Sequence, residues 1–255
     1  KRTLIRRAYL DLHGLPPSTG QIEAFLKDER PDAWARLIDE LLKSPRYGER
    51  WGRHWLDVAR YADTNGMDED IAHPSAWRYR DYVIRSFNKD KPFDRFIVEQ
   101  LAGDLLPAKD LAQKREQTVG LGFLSVGPKM LACDDPDKMR RDIIDEQMDT
   151  MGRAFLGMTI GCARCHDHKI DPISIKDYYG LAGIFMSTKT LTKYSVVAEF
   201  HEHDLTKGED QKKWLEVRRL EGEQKKKETP KDEKDKLAEE ITALKKGLPA
   251  PFKVM

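Results

Sequence analysis

Cys162, Cys165 and His166 carry the clearest chemical signal in this chain, because they form the pattern C-x-x-C-H within GCARCHDHK. At this spacing each thiol can add to one vinyl group of a haem, and the histidine can then bind the iron from the same side. We therefore predict one haem c, attached through Cys162 and Cys165, with His166 as the proximal iron ligand. Apolar residues lead into the motif, as a haem pocket requires: Phe155, Leu156, Met158 and Ile160.

Two other chemistries also use closely spaced cysteines, and the sequence leaves both open. A zinc ion could take Cys162, Cys165, His166 and His168, although closed zinc sites usually draw ligand pairs from two separated segments. A redox dithiol of the thioredoxin type is expected after a strand in a β–α–β unit, whereas a long helical pattern precedes this motif.

The far face of the iron either takes a second protein ligand or stays open, and this choice separates electron transfer from chemistry on small molecules. His168 lies two residues after His166, at most about 7 Å of extended chain, so it cannot pass around the porphyrin edge. We expect His168 instead to form a hydrogen bond near the site, to Asp167, Asp171 or a haem propionate.

His54 is the favoured candidate for the distal iron ligand. On its predicted helix it shares one face with four other residues: Tyr47, Trp51, Val58 and Tyr61. A neighbouring stripe would let a flat ring or another helix come close: Gly48, Gly52, Trp55, Ala59 and Ala62. The alternative for His54 is a core histidine bonded to a carbonyl or carboxylate. Less favoured distal candidates are Met186, His201 and His203, while a stripe of Met148, Met151 and Met158 is interpreted as core.

The elements that must position these residues are helical almost throughout. Apolar periodicity, caps and breakers predict helices over residues 4–15, 22–26, 34–42, 45–62, 75–87, 92–101, 111–123, 136–157 and 174–186, with residues 193–200 as a possible strand. Ser18, Ser44, Ser174 and Asp32 are the expected N-caps. The fold class predicted is all-α: an irregular multi-helix domain around a covalently attached haem, followed by a charged helical hairpin.

Composition excludes several functional classes. The chain has 255 residues, with 45 Lys and Arg against 44 Asp and Glu, so no basic field is available to recruit nucleic acid. No apolar run approaches the roughly 20 residues that span a bilayer. Three cysteines are too few for a disulfide framework, and the isolated Cys133 is interpreted as a small buried residue.

Charged residues of alternating sign dominate from Lys207 to Lys246, with two thin apolar stripes: Trp214, Val217 and Leu220, then Leu237, Ile241, Leu244 and Leu248. This pattern predicts a haem-binding domain over residues 1–206 and a solvated helical hairpin or linker over 207–255. Disorder is the alternative for the second part. Both ends look cut from a longer protein, and the opening KRTLIRRAYL contains no signal peptide.

An acidic loop follows the His54 helix, with Asp63, Asn65, Asp68, Glu69 and Asp70. It fails the EF-hand pattern because its sixth position is not glycine and its twelfth is proline. A solvated turn is the default interpretation, and an ion- or substrate-binding loop is the alternative. Arginines around the loop have the forked geometry to pair with haem propionates: Arg50, Arg53, Arg60, Arg78 and Arg80.

Four segments resemble the planctomycete cytochrome C family, of the type called domain of unknown function 1549. They are LDLHGLPPS (10–18), SPRYGERWGRHWLDVARYADTNG (44–66), WRYRDYVIRSFNKDKPFDRFIVEQLAGDLLP (77–107) and FLGMTIGCARCHDHKIDPISIKDYY (155–179). The resemblance implies haem c at Cys162, Cys165 and His166 in a large exported multidomain protein. It implies no particular reaction.

Three functions are compatible with this interpretation. The first is an electron-transfer cytochrome with six-coordinate haem, between a partner protein or domain and a periplasmic acceptor. The second is a haem enzyme with an open or displaceable distal site, in which His54 acts as an acid–base group. The third is a secreted binding or scaffold module with structural haem. Because haem of this kind is attached outside the cytoplasm, we expect export to the periplasm or cell surface.

Overall fold

The computed structural model describes residues 1–67, 70–194, 197–226 and 230–254. α-Helices predominate, as the sequence predicts. The chain divides into two compact units, Lys1–His201 and Glu202–Val254. No helix of the described residues is long and apolar enough to cross a membrane.

The elements of the first unit follow one another in this order: α1 (Arg2–His13), α2 (Thr19–Lys27), α3 (Ala33–Lys43), α4 (Pro45–Val58), α5 (Ala76–Asn88), α6 (Phe93–Ala102), α7 (Leu111–Gly120), α8 (Pro136–Met151), α9 (Ile175–Met186), β1 (Leu191–Lys193) and β2 (Glu199–Phe200). The second unit contains β3 (His203–Asp204), α10 (Gly208–Gln224), α11 (Lys231–Lys245) and β4 (Lys253–Val254).

Most helix ends follow the predicted local chemistry. Ser18 and Ser174 each form a capping box, and the Ser44 hydroxyl accepts from the Arg46 amide immediately before α4. Gly14 ends α1 in the left-handed conformation, with φ of 73°. Asp32 occupies the N-cap position of α3, but its side chain makes no capping hydrogen bond.

The small residues of α4 allow α5 to approach closely. A Cβ atom added to Gly48 would lie 2.4 Å from the Ile84 carbonyl oxygen, and one added to Gly52 would lie 3.2 Å from the Ile84 side chain. The Gly48 amide donates to Asn88 Oδ1 at 2.8 Å. The sequence suggested that either a flat ring or another helix would lie against this stripe. In the structure it is a helix, α5.

Trp55 joins α4 to the aromatic core of the first unit. Its indole N–H donates to Tyr79 Oη at 3.0 Å and to Gln100 Oε1 at 2.9 Å. Its ring lies 4.9 Å from Phe96 and 5.7 Å from Phe155 between centroids. A half-buried tryptophan with a satisfied N–H fixes which side of α4 faces inward.

The helix before the C-x-x-C-H motif changes its winding in its last turn. α8 ends at Met151, a π-helical turn covers Gly152–Leu156, and Gly157 takes a left-handed conformation with φ of 64°. A Cβ on Gly152 would lie 2.7 Å from the Ile160 side chain, so the chain folds back tightly here. The motif therefore begins in a new turn. The predicted helix over 136–157 is confirmed to within one residue of its end, with a change from α to π winding at Gly152.

The predicted strand over 193–200 is replaced by two shorter strands. β1 and β2 pair antiparallel, with Leu191 opposite Phe200. Ser195 and Val196, within the predicted strand, lie outside the described residues.

The helix predicted over 111–123 is divided in two. α7 ends at Gly120, and a 3-10 turn follows over Leu121–Leu124.

In the second unit, α10 and α11 pack together through Val217, Leu220 and Ile241. β3 pairs antiparallel with β4, so this unit includes residues before the predicted boundary at 206. The Arg218 guanidinium pairs with the Asp204 carboxylate at 2.6 Å and links α10 to β3.

Candidate functional site

The C-x-x-C-H motif begins in a 3-10 turn, Ile160–Arg164, that packs against α8 and α9; Cys165 and His166 follow it directly, and we call 160–166 the motif turn. Ile160 and Ala163 are buried, whereas Cys162 and Cys165 are exposed free thiols. The alternating burial anchors the turn through its apolar residues and leaves both sulfur atoms accessible to a ligand.

Arg164, between the two cysteines, fixes the turn to α8. Its guanidinium donates to Asp145 Oδ2 at 3.1 Å and to Asp142 Oδ1 at 3.2 Å. The Tyr178 hydroxyl of α9 donates to the other oxygen of Asp145 at 2.6 Å. Burial favours the neutral form of Asp142, but hydrogen bonds from Lys138 and Arg164 outweigh it and lower the pKa of this carboxyl. The turn is held by charge-assisted bonds that leave the cysteines and His166 unused.

His166 is exposed, and its Nδ1 atom lies 2.7 Å from the Asp167 carbonyl oxygen. A carbonyl can only accept, so Nδ1 carries the proton and donates. Nε2 is then the nitrogen with the lone pair that a metal requires. Histidines that bind metals usually direct their other ring N–H to a carbonyl or carboxylate in this way.

His168 has both ring nitrogens occupied by hydrogen bonds. Its Nδ1 accepts from the backbone amides of Ile170 at 3.2 Å and Asp171 at 2.7 Å. Its Nε2 therefore carries the proton and donates to Thr159 Oγ1 at 2.9 Å. A zinc site that includes His168 would have to break these bonds. Within the described ranges, no three His, Cys, Asp or Glu side chains are arranged to hold a metal ion.

Large apolar side chains are exposed in the segments on either side of the motif. The exposed fractions are 56% for Leu156, 85% for Ile170 and 57% for Tyr179. The Tyr179 hydroxyl donates to the Arg164 carbonyl at 3.2 Å, which places that side chain beside the turn. Two free thiols, an imidazole that donates through Nδ1 and exposed apolar side chains nearby in sequence are groups that fit a covalently attached haem.

Residues 1–190 match the sequence profile of PSCyt2, a family described as proteins of unknown function (DUF1549). The chain belongs to this family. The match spans α1 to α9 and includes the whole motif turn. No curated protein and no solved structure matches the chain significantly.

In this PSCyt2 region, the structure places His54 on the exposed face of α4. Its ring lies 5.5 Å from the Trp51 ring, and Trp51 and Val58 on the same face are also exposed. Among the described residues, no hydrogen bond or ion pair joins His54 to the motif turn. The predicted aromatic stripe thus faces outward, because the glycine stripe beside it packs against α5.

Arg60 connects the end of α4 to α8, one helix before the motif. It takes a left-handed conformation with φ of 56°, and its guanidinium contacts Thr150, Glu146 and Asp149. A Cβ on Gly161 would lie 3.4 Å from the Asp149 carboxylate, so this contact lies directly behind the motif. Arg60, one of the five arginines predicted for haem propionates, is thereby engaged with protein carboxylates.

The other predicted arginines also have protein neighbours. Arg80 pairs with Asp81 at 2.9 Å, Arg53 lies 3.5 Å from Asp57, and Arg78 stacks on Trp77. Arg50 passes over Gly14, and its buried Nε has no hydrogen-bond partner in the part of the chain that the structure describes.

The acidic loop uses its described residues to hold its own conformation. Buried Asn65 donates to the Lys129 carbonyl at 3.1 Å and accepts from the Ile71 amide at 2.7 Å. The Asp63 carboxylate accepts from the Tyr61 hydroxyl at 2.6 Å. Asp68 and Glu69 lie outside the described residues.

Sequence reasoning missed a polar cluster where α8 meets the segment that precedes it. The Lys129 ammonium lies 2.8 Å from Glu146 Oε2; the Lys129 side chain is buried, and that of Glu146 is 13% exposed. His73, also buried, has a pKa lowered to about 4, first by burial and then by the nearby Lys129 charge. A single lysine within the otherwise apolar run GFLSVGPKML was the available signal.

Proposed function

We propose that this PSCyt2 domain is a c-type cytochrome that carries one haem c and transfers electrons. Cys162 and Cys165 would hold the haem covalently, and His166 would bind its iron. The observation that carries the proposal is the 2.7 Å contact from His166 Nδ1 to the Asp167 carbonyl, since it leaves Nε2 ready to bind a metal beside two exposed thiols.

Attachment needs only groups that this turn presents. Each thiol would add its sulfur to one vinyl carbon and its proton to the other, so no external oxidant is needed. Arg164 holds the turn through Asp142 and Asp145 without using either cysteine. When bound, the haem would supply one-electron redox chemistry.

His54 remains our candidate for the second iron ligand. It lies exposed on α4, the helix whose Trp55 ring is 5.7 Å from Phe155 in the turn before the motif. His168 does not qualify, because both its nitrogens are engaged with Thr159, Ile170 and Asp171. Two protein ligands would favour electron transfer over chemistry on small molecules.

Electron transfer requires a redox partner, which we propose to be another protein or an adjoining domain. Since covalent haem attachment of this kind takes place outside the cytoplasm, we also propose that the protein is exported to the periplasm or the cell surface.

Optical spectroscopy separates this role from that of a haem enzyme. We would produce the chain together with a haem c maturation system and record spectra before and after adding carbon monoxide to the reduced form or cyanide to the oxidised form. A low-spin spectrum that ligand leaves unchanged is expected for a six-coordinate electron-transfer site. A high-spin spectrum that shifts at once on ligand addition would contradict this role and favour the enzyme.

A further inference from the structure

A cavity of about 250 Å³ lies between α4, α5 and α6, on residues that the proposed haem site does not use. Five aromatic side chains form most of its lining: Tyr47, Trp55, Phe87, Phe93 and Phe96. Ser86, Asp90 and Lys91 complete it. Pockets for drug-sized ligands span roughly 300–1,000 Å³, so this cavity suits a smaller molecule.

The aromatic rings of the cavity are fixed by packing. Phe96 lies 4.9 Å from Trp55 and 6.2 Å from Phe87 between centroids, both in edge-to-face arrangements. Phe93 lies 6.3 Å from Trp55, also edge to face. The faces of such rings carry negative electrostatic potential, so an aromatic lining attracts a cation that sheds its water to enter.

The charged residues of the lining differ in their pairing: Lys91 is ion-paired, whereas the Asp90 carboxylate forms no ion pair with a described residue. The Lys91 ammonium pairs with Glu99 and with Glu116, the latter at 3.0 Å, and these two carboxylates also pair with Arg95 and Lys89. The Ser86 hydroxyl donates to the Tyr82 carbonyl at 2.8 Å. Asp90 is exposed. Among the described residues, no cation lies within ion-pair distance of its carboxylate.

The backbone at Asp90 shows that this carboxylate occupies a position where glycine is the usual residue. α5 ends in a Schellman motif: the Asp90 amide donates to the Phe87 carbonyl at 3.1 Å, and the Lys91 amide donates to the Ser86 carbonyl at 2.9 Å. Asp90 takes the left-handed position of this motif, with φ of 48°. Aspartate is among the few residues besides glycine that adopt this conformation readily, so the position accommodates a carboxylate at the rim of the cavity.

We infer that this cavity binds a small organic cation, such as a quaternary or protonated amine, between its aromatic rings with Asp90 as the counter-ion. The inference does not depend on haem binding, because it rests on α4, α5 and α6 and not on the motif turn.

Titration calorimetry on the full chain tests the inference with two matched probes. Choline carries a quaternary nitrogen, and 3,3-dimethyl-1-butanol has the same shape with a neutral carbon in its place. We expect choline to bind at least about fivefold more tightly than the neutral alcohol. Equal affinity for the two probes, or no binding of choline, would overturn the inference.

Two substitutions at one position separate the carboxylate from the fold. Asn and Gly both tolerate the left-handed conformation, so Asp90→Asn and Asp90→Gly are expected to fold. Each should weaken choline binding about fivefold and leave the weak binding of the neutral alcohol unchanged. Asp94→Asn, in the first turn of α6, is the control and should bind choline as the unmodified chain does. Unchanged choline affinity in both Asp90 variants would refute the assignment of the counter-ion.

A further variant tests the aromatic contribution. Phe93 is 58% exposed, so Phe93→Leu should leave the fold intact while removing one aromatic face. We expect it to weaken choline binding about threefold and to change the affinity for the neutral alcohol by less. An equal loss for both probes would show that the rings provide only apolar contact and would contradict cation binding.

Discussion

The Lys129 ammonium and the Glu146 carboxylate lie 2.8 Å apart inside the first unit, with exposed side-chain fractions of only 1% and 13%. Burial lowers the pKa of Lys129, and the Glu146 charge acts against this by stabilising the ammonium. The Ser125 and Gly127 carbonyls accept from the same ammonium, each at 3.3 Å. The pair joins α8 to the segment that precedes it. Removing either charged group would leave the other without its counter-ion in the interior.

Removing the charge of Glu146 is therefore expected to destabilise the fold strongly. Glu146→Gln leaves a buried ammonium without its counter-ion, and we expect a loss of about 3–5 kcal/mol in the free energy of unfolding. Urea denaturation of the two proteins measures this difference. The matched control is Asp57→Asn, which breaks an exposed pair with Arg53 and should change stability by less than about 1 kcal/mol. Similar effects of the two substitutions would refute the role of the buried pair.

His73 makes the stability of the fold depend on pH. Its folded-state pKa is about 4, below the pKa of about 6.5 that histidine has in an unfolded chain, so the unfolded state binds more protons between these values. Stability is thus complete above about pH 6.5 and falls as pH drops towards 4, by up to about 3 kcal/mol. Urea midpoints from pH 7 to 4.5 measure the slope. His73→Phe should show a shallower slope over this range, and an unchanged slope would show that other groups cause the loss.

Two glycine-to-alanine substitutions are expected to change the stability of the fold in opposite directions, because only one of the added Cβ atoms would meet a neighbouring helix. Gly48→Ala would place a Cβ 2.4 Å from a backbone oxygen of α5, which forces the helices apart. We expect a loss of about 1–3 kcal/mol. In α9, Gly180 has open space around its added Cβ, so Gly180→Ala should stabilise the chain by about 0.5–1 kcal/mol through helix propensity. Thermal unfolding of both variants checks the signs, and a neutral Gly48→Ala would contradict the packing described.

Local sequence chemistry predicted the helix starts and the first helix end well. Capping residues act on backbone groups within a few residues of their own positions, so their effect can be predicted from the sequence. Examples are Ser44 before Pro45, Ser174 before α9 and Gly14 after α1. The end of α8 is different, because it depends on Gly152 meeting Ile160 after the chain turns back. Sequence periodicity alone does not predict that contact.

The sequence predicted close packing on one stripe of α4 but not the environment of His54. Its periodicity produced a stripe of small residues, which would let a ring or another helix approach, and an aromatic stripe containing His54, the favoured distal ligand. The structure packs the small stripe against α5, so the aromatic stripe faces outward, and this depends on a helix that is distant in the chain. The Lys129–Glu146 pair was missed for a similar reason, because its partners are far apart in sequence.

His54 and His168 make a pair of variants that tests the proposed iron ligands. If His54 is the distal ligand, His54→Ala should convert a low-spin spectrum to high-spin. His168→Ala should leave the spin state unchanged, although loss of its partly buried hydrogen bonds should reduce stability by about 1–2 kcal/mol. A low-spin spectrum in His54→Ala would reject that ligand, and a high-spin spectrum in His168→Ala would contradict the reach argument.

The most direct test of the account is peptide mass spectrometry of the chain after production with a haem c maturation system. We predict that the peptide containing Cys162 and Cys165 carries the added mass of one haem, and that this haem resists extraction by acidified organic solvent. The peptide containing Cys133 should be unmodified, and Cys133→Ser should retain the haem. A chain that yields all its haem to the solvent, or an unmodified peptide over residues 162–166, would contradict the central claim.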